Sequence, residues 1–481
     1  MEKRSSNVIT GLFWKLFERF GVLGIQFVLQ IILARILDPE HYGVLSLMLV
    51  FSALATVFIE HGLSAALVQN KDVTEEDCSS VFWITLAVAV TLYLILFATA
   101  PLIGSFYNMP SMVAPFRVLC LMLLPGALNS VQLAIVSRRL AFQIVFRSSI
   151  IAVILSGAAG IALALLGTGL WALVAQSLLN TTLICVIMWF TVKWRPKWVI
   201  NLKRIKVLFA YGWKLLVSSL MDALYQDAQS LVIGKKYNAD TLAYYNRGKQ
   251  FPQFMINAIN SAVQSVLLPA MSAEQDNKNT VKTMTRNAVM LSSYIIFPMM
   301  AGLAGVATPL IQLLLTDKWL PCVPFLQICC LSFAFYPVYS ANLQAIKAMG
   351  RSDIFLTLEI IKKAFGLSLL VIAVFCFDTP IAIALTGVIG IPFDIFVNAY
   401  PNKKLIDYSY AEQLKDIVPS FLTALIMFGG VLALQLLGLP AVPTLLLQIA
   451  AGVVLYIALS AVLGLEPFRI LLRLLKNIRK K

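Results

Sequence analysis

Apolar runs of about twenty residues succeed one another from residue 10 to residue 464, separated by short loops that hold Pro, Asp, Lys or Arg; about twenty is the length a helix needs to cross a hydrocarbon core of about 30 Å. In lipid every backbone amide must be satisfied within its own structure, so such runs are either helices or barrel strands. The period-2 alternation of a barrel strand is absent, which leaves helices. We place about fourteen of them near 10–36, 42–65, 81–104, 112–137, 146–166, 170–192, 212–233, 242–268, 287–315, 322–346, 354–376, 381–400, 416–437 and 441–463. Composition agrees, at 60% hydrophobic and 13% charged, where soluble domains carry about 25% charged residues. The expectation is an all-α polytopic membrane protein.

The formal net charge of +15 points toward nucleic acid only until the charges are placed on this topology with the N-terminus inside. Lys3, Arg4, Arg138, Arg139, the cluster from Lys193 to Lys214, Lys278, Lys282, Arg286, Lys403, Lys404 and the tail from Arg469 to Lys481 then fall in the cytoplasm. The outer loops keep little beyond Arg35, Lys235, Lys236 and Lys318. That is the positive-inside pattern, so the basic balance orients the chain, both termini are expected in the cytoplasm, and no nucleic-acid partner is expected. The tail EPFRILLRLLKNIRKK reads either as an amphipathic helix on anionic lipid or as a plain stop-transfer anchor. Lys15, Glu18 and Arg19 interrupt the first apolar stretch, which argues against a cleavable signal. Seven cysteines without a C-x-x-C give neither a disulfide framework nor a zinc site.

The stretch LARILDPEHYG at 33–43 returns as VIGKKYNADTLAYYNR at 232–247. Trp14-Lys15 matches Trp213-Lys214 and Gln30 matches Gln229 at one offset; Arg35 matches Lys235, Glu40 matches Asp240, Ile59 matches Ile259 and Leu67 matches Leu267 at an offset one residue longer. PFRVLC at 115–120 corresponds to PFLQIC at 324–329, and Pro125 with Gln132 to Pro337 with Gln344. Six spans separate the copies, so both face the same way: a parallel repeat about the membrane normal, with substrate expected near the midplane between halves that alternate access. The alternative is that any helix hairpin with a polar turn looks alike.

Polar faces inside the bilayer must meet protein or water, because a charge near the centre of a lone span costs at least about 2.5–3.5 kcal/mol. At 100° per residue, Lys15, Arg19, Gln26 and Gln30 fall within about 60°, and Lys214, Ser218, Asp222, Tyr225 and Gln229 within about 80°. The eighth span is the most polar: Asn246, Gln250, Gln253, Asn257, Asn260, Ser261 and Gln264 share one face, with Arg247 and Lys249 near the outer end. Amides suit the many hydroxyls of a sugar, and Arg and Lys suit diphosphate; the same amides also serve as glue between packed helices. Asp222, Asp227, Glu60, His61 and Asp394 are the candidate carriers of a coupling proton or sodium ion, and each is equally well a structural ion pair. Glu359 and Lys363 sit at i and i+4 and are placed to pair, while Asp394 stands alone.

LARILDPEHYGVLSLMLVF, GLSAALVQNKDVTEED with VFW after it, GTGLWALVAQ, IGKKYNADTLAYYNR, LLPAMS and DKWLPCVPFLQI resemble the polysaccharide transporter family of lipid-linked oligosaccharide flippases, in particular its colanic-acid and teichuronic-acid exporter branch. The likeness runs in order from about residue 8 to about residue 400. It implies a place in the multidrug/oligosaccharidyl-lipid/polysaccharide exporter superfamily, with MATE-like relatives, and two six-helix lobes in a V around a central cavity. The lobes would be residues 1–200 and 201–400, with two further helices and a basic tail in 401–481. It implies a bacterial inner-membrane protein that moves an undecaprenyl-diphosphate-linked glycan, a lipopolysaccharide or exopolysaccharide unit, to the periplasmic leaflet, beside polymerase and glycosyltransferase partners and with no cofactor. Arg19, Arg117, Arg247 and Lys249 are the basic residues such a cavity offers to diphosphate, and only Arg247 lies in a matched block. The family often has an acidic residue five before the Gly of the IG turn; here Gln229 stands there, with Asp227 two earlier. Arg35, Glu40, Lys235 and Asp240 then become an outer gate at the periplasmic rim.

A drug or cation antiporter of the same superfamily predicts the same fold, and a non-transporting scaffold for glycan assembly tolerates neutral cavity residues. A membrane polymerase or ligase wants a long outer loop with catalytic groups, and outer loops here reach only about ten residues. Neither G-x-x-x-x-G-K-[ST] nor H-E-x-x-H occurs. The chain is therefore expected not to be an enzyme.

Overall fold

The computed structural model describes residues 21–70 and 72–478, and among them all regular structure is helical. The helices are α1 (Gly21–Ile36), α2 (Pro39–Glu60), α3 (Leu63–Gln69), α4 (Glu75–Phe106), α5 (Val113–Leu119), α6 (Leu123–Arg138), α7 (Phe142–Leu165), α8 (Leu170–Thr191), α9 (Leu202–Lys236) and α10 (Ala239–Ala273). There follow α11 (Lys278–Gly305), α12 (Ala307–Leu315), α13 (Val323–Ala334), α14 (Tyr336–Ala348), α15 (Ser352–Cys376), α16 (Pro380–Ile389), α17 (Ile391–Leu405), α18 (Tyr410–Ala433), α19 (Ala441–Val462) and α20 (Glu466–Ile478). Lys15 and Arg19, the first two members of the polar stripe on the first span, lie outside the described residues.

Among the described residues ten helical stretches are long and apolar enough to cross a membrane, or eleven when the bent α9 is taken as one span. The apolar runs are less uniform than the sequence suggests. The run at 112–137 is α5 and α6 joined through a 3-10 stretch at Cys120–Met122, and the run at 287–315 breaks at Val306 between α11 and α12. α10 and α15 are long enough to span, but their polar residues keep them outside the apolar set. All seven cysteines are free thiols, six of them buried, in line with small apolar side chains that fill gaps.

Contacts divide the chain into two compact units, Met1–Ala243 and Tyr244–Lys481. In the first, α7 packs on α8, α4 on α6, and α9 along α2 and α3, around fully buried Leu33, Leu47, Met48, Ile59 and Phe116. In the second, α11 packs on α18 and α13, and α14 on α17. A buried amide node ties the latter group together. Asn402 Nδ2 donates to Asn342 Oδ1 at 2.6 Å, Asn342 Nδ2 to Gln413 Oε1 at 2.8 Å, and Gln413 Nε2 to Asn342 Oδ1 at 3.0 Å. All three residues are 0% exposed, so each amide replaces water for another.

Local structure is alike at the sequence's paired landmarks. α1 ends at Ile36 and α9 at Lys236; α2 starts at Pro39 and α10 at Ala239. Both turns are two residues long, and Asp38 and Asn238, residue types that favour helix starts, stand before the second helix. Asn238 Oδ1 accepts from the Thr241 amide at 2.8 Å, and Pro39 sits at N1, where its missing N–H costs nothing. PFRVLC and PFLQIC each lie just beyond a 3-10 stretch, Pro110–Met112 and Asp317–Cys322. Gln132 and Gln344 are both buried.

The basic residues at helix ends meet carboxylates and carbonyls. Arg204 grips Asp77 through Nε at 2.9 Å and Nη2 at 2.7 Å, and Asp77 also closes the capping box of α4 with Thr74. Lys197 pairs with Glu75 at 2.5 Å, Arg138 donates to the Leu67 and Asn70 carbonyls at the end of α3, and Arg286 holds Asp416 at 2.9 Å. Such fixed pairing does not make a phosphate-tracking patch. Replacing Asp77 by Ala leaves the Thr74 cap in place but removes the carboxylate that accepts from the Thr74 amide and that Arg204 grips. A lower melting temperature in detergent is expected, with a smaller drop for Glu75→Ala, whose pair is exposed.

Candidate functional site

α10 concentrates the candidate residues. Arg247 is only 6% exposed. Its guanidinium carbon lies 5.0 Å from the Trp319 ring centre, and Nη1 donates to Gln250 Oε1 at 2.7 Å. The indole quadrupole holds the cation while the amide fixes the fork's rotation, so Arg247 presents a preorganised charge. Gly248 makes the approach: a Cβ there would lie 2.7 Å from the Leu326 nitrogen and 2.9 Å from the Cys322 oxygen, so the α10 backbone presses on the junction that carries Trp319. Lys249 is half-buried, 5.8 Å from the Tyr245 ring.

The amide stripe divides in two. Asn260 Oδ1 accepts from Ser340 Oγ at 2.8 Å, and Gln264 Nε2 donates to the same Oγ at 3.1 Å, which fastens the later part of α10 to α14. Asn246, Gln250 and Gln253 are half-buried and Asn257 is exposed. On the helices of the first unit, Gln26 is exposed, while Gln30, Asp222, Asp227 and Gln229 are half-buried. Glu60 and His61 are exposed at the end of α2, next to Gly62, whose carbonyl oxygen would lie 2.7 Å from a Cβ on Gly212.

Arg117 faces α4: Nε donates to the Phe97 carbonyl at 3.1 Å and the guanidinium lies 4.3 Å from the Phe97 ring centre. Lys235 donates to the Phe106 carbonyl and lies 4.2 Å from its ring, a cation at the C-terminal end of α4, where the helix dipole favours it. Arg35 and Glu40 are exposed and Asp240 is half-buried.

Asp394 is not isolated, since Lys362 and Glu359 act on it electrostatically. Glu359 accepts from Lys362 at 2.5 Å, one residue short of the i, i+4 partner expected from spacing. Lys347 and Tyr336 lie within the electrostatic reach of Glu359 as well. Elsewhere in the same unit, α11, α13 and α18 line a cavity of about 220 Å³ with Phe297, Met300, Cys330, Phe421 and Phe428 on its walls. Gln327 also lines it, but its Nε2 is turned to the Ala304 carbonyl at 3.2 Å.

Sequence reasoning missed Trp319, Ser340 and Lys362. The tryptophan stood in the DKWLPC block, which forms a 3-10 turn from Asp317 to Cys322. Nothing in the spacing links Ser340 or Lys362 to their partners, which are brought close by packing between helices.

Fold and site define a multi-pass helical membrane protein that carries a long amide- and cation-bearing helix. The chain belongs to the polysaccharide biosynthesis protein family, whose model matches residues 32–324. It is 23% identical over 465 residues to the teichuronic acid biosynthesis protein TuaB of Bacillus subtilis (strain 168), covering 95% of this chain and 96% of that one. It is 24% identical over 350 residues to the succinoglycan biosynthesis transport protein ExoT of Rhizobium meliloti (strain 1021), covering 73% of this chain and 71% of that one. Among solved structures, the lipid II flippase MurJ in an inward closed conformation superposes with a TM-score of 0.74 at 17% identity, over 96% of this chain and 100% of that one. The fold is of the MurJ type.

Proposed function

We propose that this protein moves an undecaprenyl-diphosphate-linked oligosaccharide from the cytoplasmic to the periplasmic leaflet of a bacterial inner membrane by alternating access, driven by a proton or sodium gradient. The observation that carries this reading is α10: a helix with Arg247, Lys249 and a run of amides, in a family of polysaccharide biosynthesis. The names of the relatives point the same way, to a transport protein for succinoglycan and a flippase for lipid II. Residues 1–200 and 201–400 are read as repeated lobes and 401–481 as an appended pair of helices with a basic tail. α1, which is described from Gly21 onward, and the more polar α9, α10 and α15 complete fourteen spans beside the ten apolar ones. The turns at 37–38 and 237–238 face the periplasm, and both termini the cytoplasm.

Within this reading Arg247 and Lys249 take the diphosphate, Asn246, Gln250, Gln253 and Asn257 meet sugar hydroxyls, and the apolar cavity beside α11 suits a polyprenyl segment. Asn260 and Gln264 help to hold α10 in place. Asp394, with Lys362 and Glu359 beside it, is the coupling candidate in the second unit; Asp222, Asp227, Glu60 and His61 are those of the first. Polymerase and glycosyltransferase partners are part of the same proposal.

The test is leaflet exchange of a synthetic undecaprenyl-diphosphate oligosaccharide in proteoliposomes, with and without an ion gradient. Arg247→Ala is expected to lower exchange at least about tenfold, the scale of one charge-assisted contact to phosphate. Arg117→Ala is expected to act mainly on melting temperature, because its guanidinium is occupied by Phe97. Drug or cation flux without glycan exchange would move the protein to the antiporter class, and normal exchange by Arg247→Ala would remove that residue from the site.

A further inference from the structure

The geometry points to α20 as an anchor that binds anionic phospholipid headgroups at the membrane surface where α19 ends. α19 closes at Val462, Gly464 turns the chain with φ +60°, and α20 starts at Glu466. With so short a link, α20 starts at the bilayer boundary whichever leaflet that is. At 100° per residue, Pro467, Phe468, Ile470, Leu471, Leu472, Leu474, Leu475 and Ile478 sweep about 200°, while Arg469, Arg473 and Lys476 fall within about 60° on the other side. Pro467 is buried, whereas Leu472 is 43% exposed, so packing on the protein leaves part of the apolar arc open. A wide apolar arc opposite a narrow cationic one is what an interfacial helix presents to acyl chains and negative headgroups together.

The helix start is fixed to the bundle. Glu466 accepts from Arg286 of α11 at 3.1 Å, and Arg286 also grips Asp416 of α18. Arg469 and Arg473 are exposed and free of that cluster's pairs. The tether sets the helix's position and its cations are left to the lipid. The inference does not depend on what the protein transports.

The experiment is hydrogen exchange of residues 466–478 in the full-length protein in nanodiscs of phosphatidylglycerol and, separately, of phosphatidylcholine. Exchange is expected to be about tenfold or more slower in the anionic discs, and this difference is expected to vanish in the Arg469→Glu, Arg473→Glu double variant. The melting temperature of the variant, expected to match the wild type, shows that the bundle is intact. Equal protection in both lipids that survives charge reversal would mean that protein covers the helix, and fast exchange in both would mean that nothing does. Either result overturns the inference.

Discussion

Gly43→Val is expected to abolish leaflet exchange while leaving the protein in the membrane. Gly43 lies in the second turn of α2, where a Cβ would sit 1.8 Å from the carbonyl oxygen of Ala239 and 2.4 Å from its carbonyl carbon. Even Ala does not fit, so the α9–α10 turn must back away from α2 by well over an ångström. Backbone cannot yield as a flexible side chain does, and the two arrangements of a packed interface are discrete. Overpacking of this kind costs about 1–3 kcal/mol; a state of an exchange cycle raised by about 1.4 kcal/mol is populated tenfold less. Gly43→Ala should therefore slow exchange about tenfold and Gly43→Val more. Adding Ala239→Gly should not rescue either variant, because the obstacle is the carbonyl of Ala239 and not its methyl. Wild-type exchange by Gly43→Val would show that transport never uses this contact, and rescue by Ala239→Gly would place the strain on the side chain.

What could be read from the sequence and what could not divide along a physical line. The turns at 37–38 and 237–238 were legible because the signals are local: Asp38 or Asn238 before a helix, Pro39 at its first position, and apolar runs on either side. Helix breaks inside apolar runs were not. Val306 and the 3-10 stretch at Cys120–Met122 are as apolar as their surroundings, and hydropathy carries no trace of a change in winding. The polar stripe of α10 was visible as a face, but a face does not say what it meets. Asn260 and Gln264 look in sequence just like Asn257, yet they clasp Ser340. Arg117 likewise could face a cavity or a neighbouring helix, and Phe97 decided that by its place on α4. In the sequence Asp394 stands alone because Lys362 and Glu359 sit more than thirty residues before it; only the packing of α15 against α17 brings them together.

The second large effect belongs to Gly248, whose surroundings are the opposite of those of Gly126. At Gly248 a new Cβ would meet Leu326 N at 2.7 Å, Cys322 O at 2.9 Å and Phe325 Cβ at 2.9 Å. Two of those three atoms are backbone, so the strain spreads to the 3-10 segment that carries Trp319 and, through it, to the cation held over that ring. Gly248→Val is expected to lower the melting temperature strongly, toward or beyond the upper end of about 1–3 kcal/mol for overpacking, and to reduce exchange by more than Arg247→Ala does, since it displaces the arginine's support as well as the helix. At Gly126, inside α6, nothing lies within 4 Å of the same added atom. There the methyl group only restricts the unfolded chain and favours the helix, a gain of about 0.5–1 kcal/mol, so Gly126→Ala should melt at or above the wild type and exchange normally. Thermal melts of the two variants side by side are decisive. If both fall alike, helix glycines in this chain are needed for backbone freedom and not for close approach, and the contact between α10 and the Trp319 segment loses its claim to position Arg247.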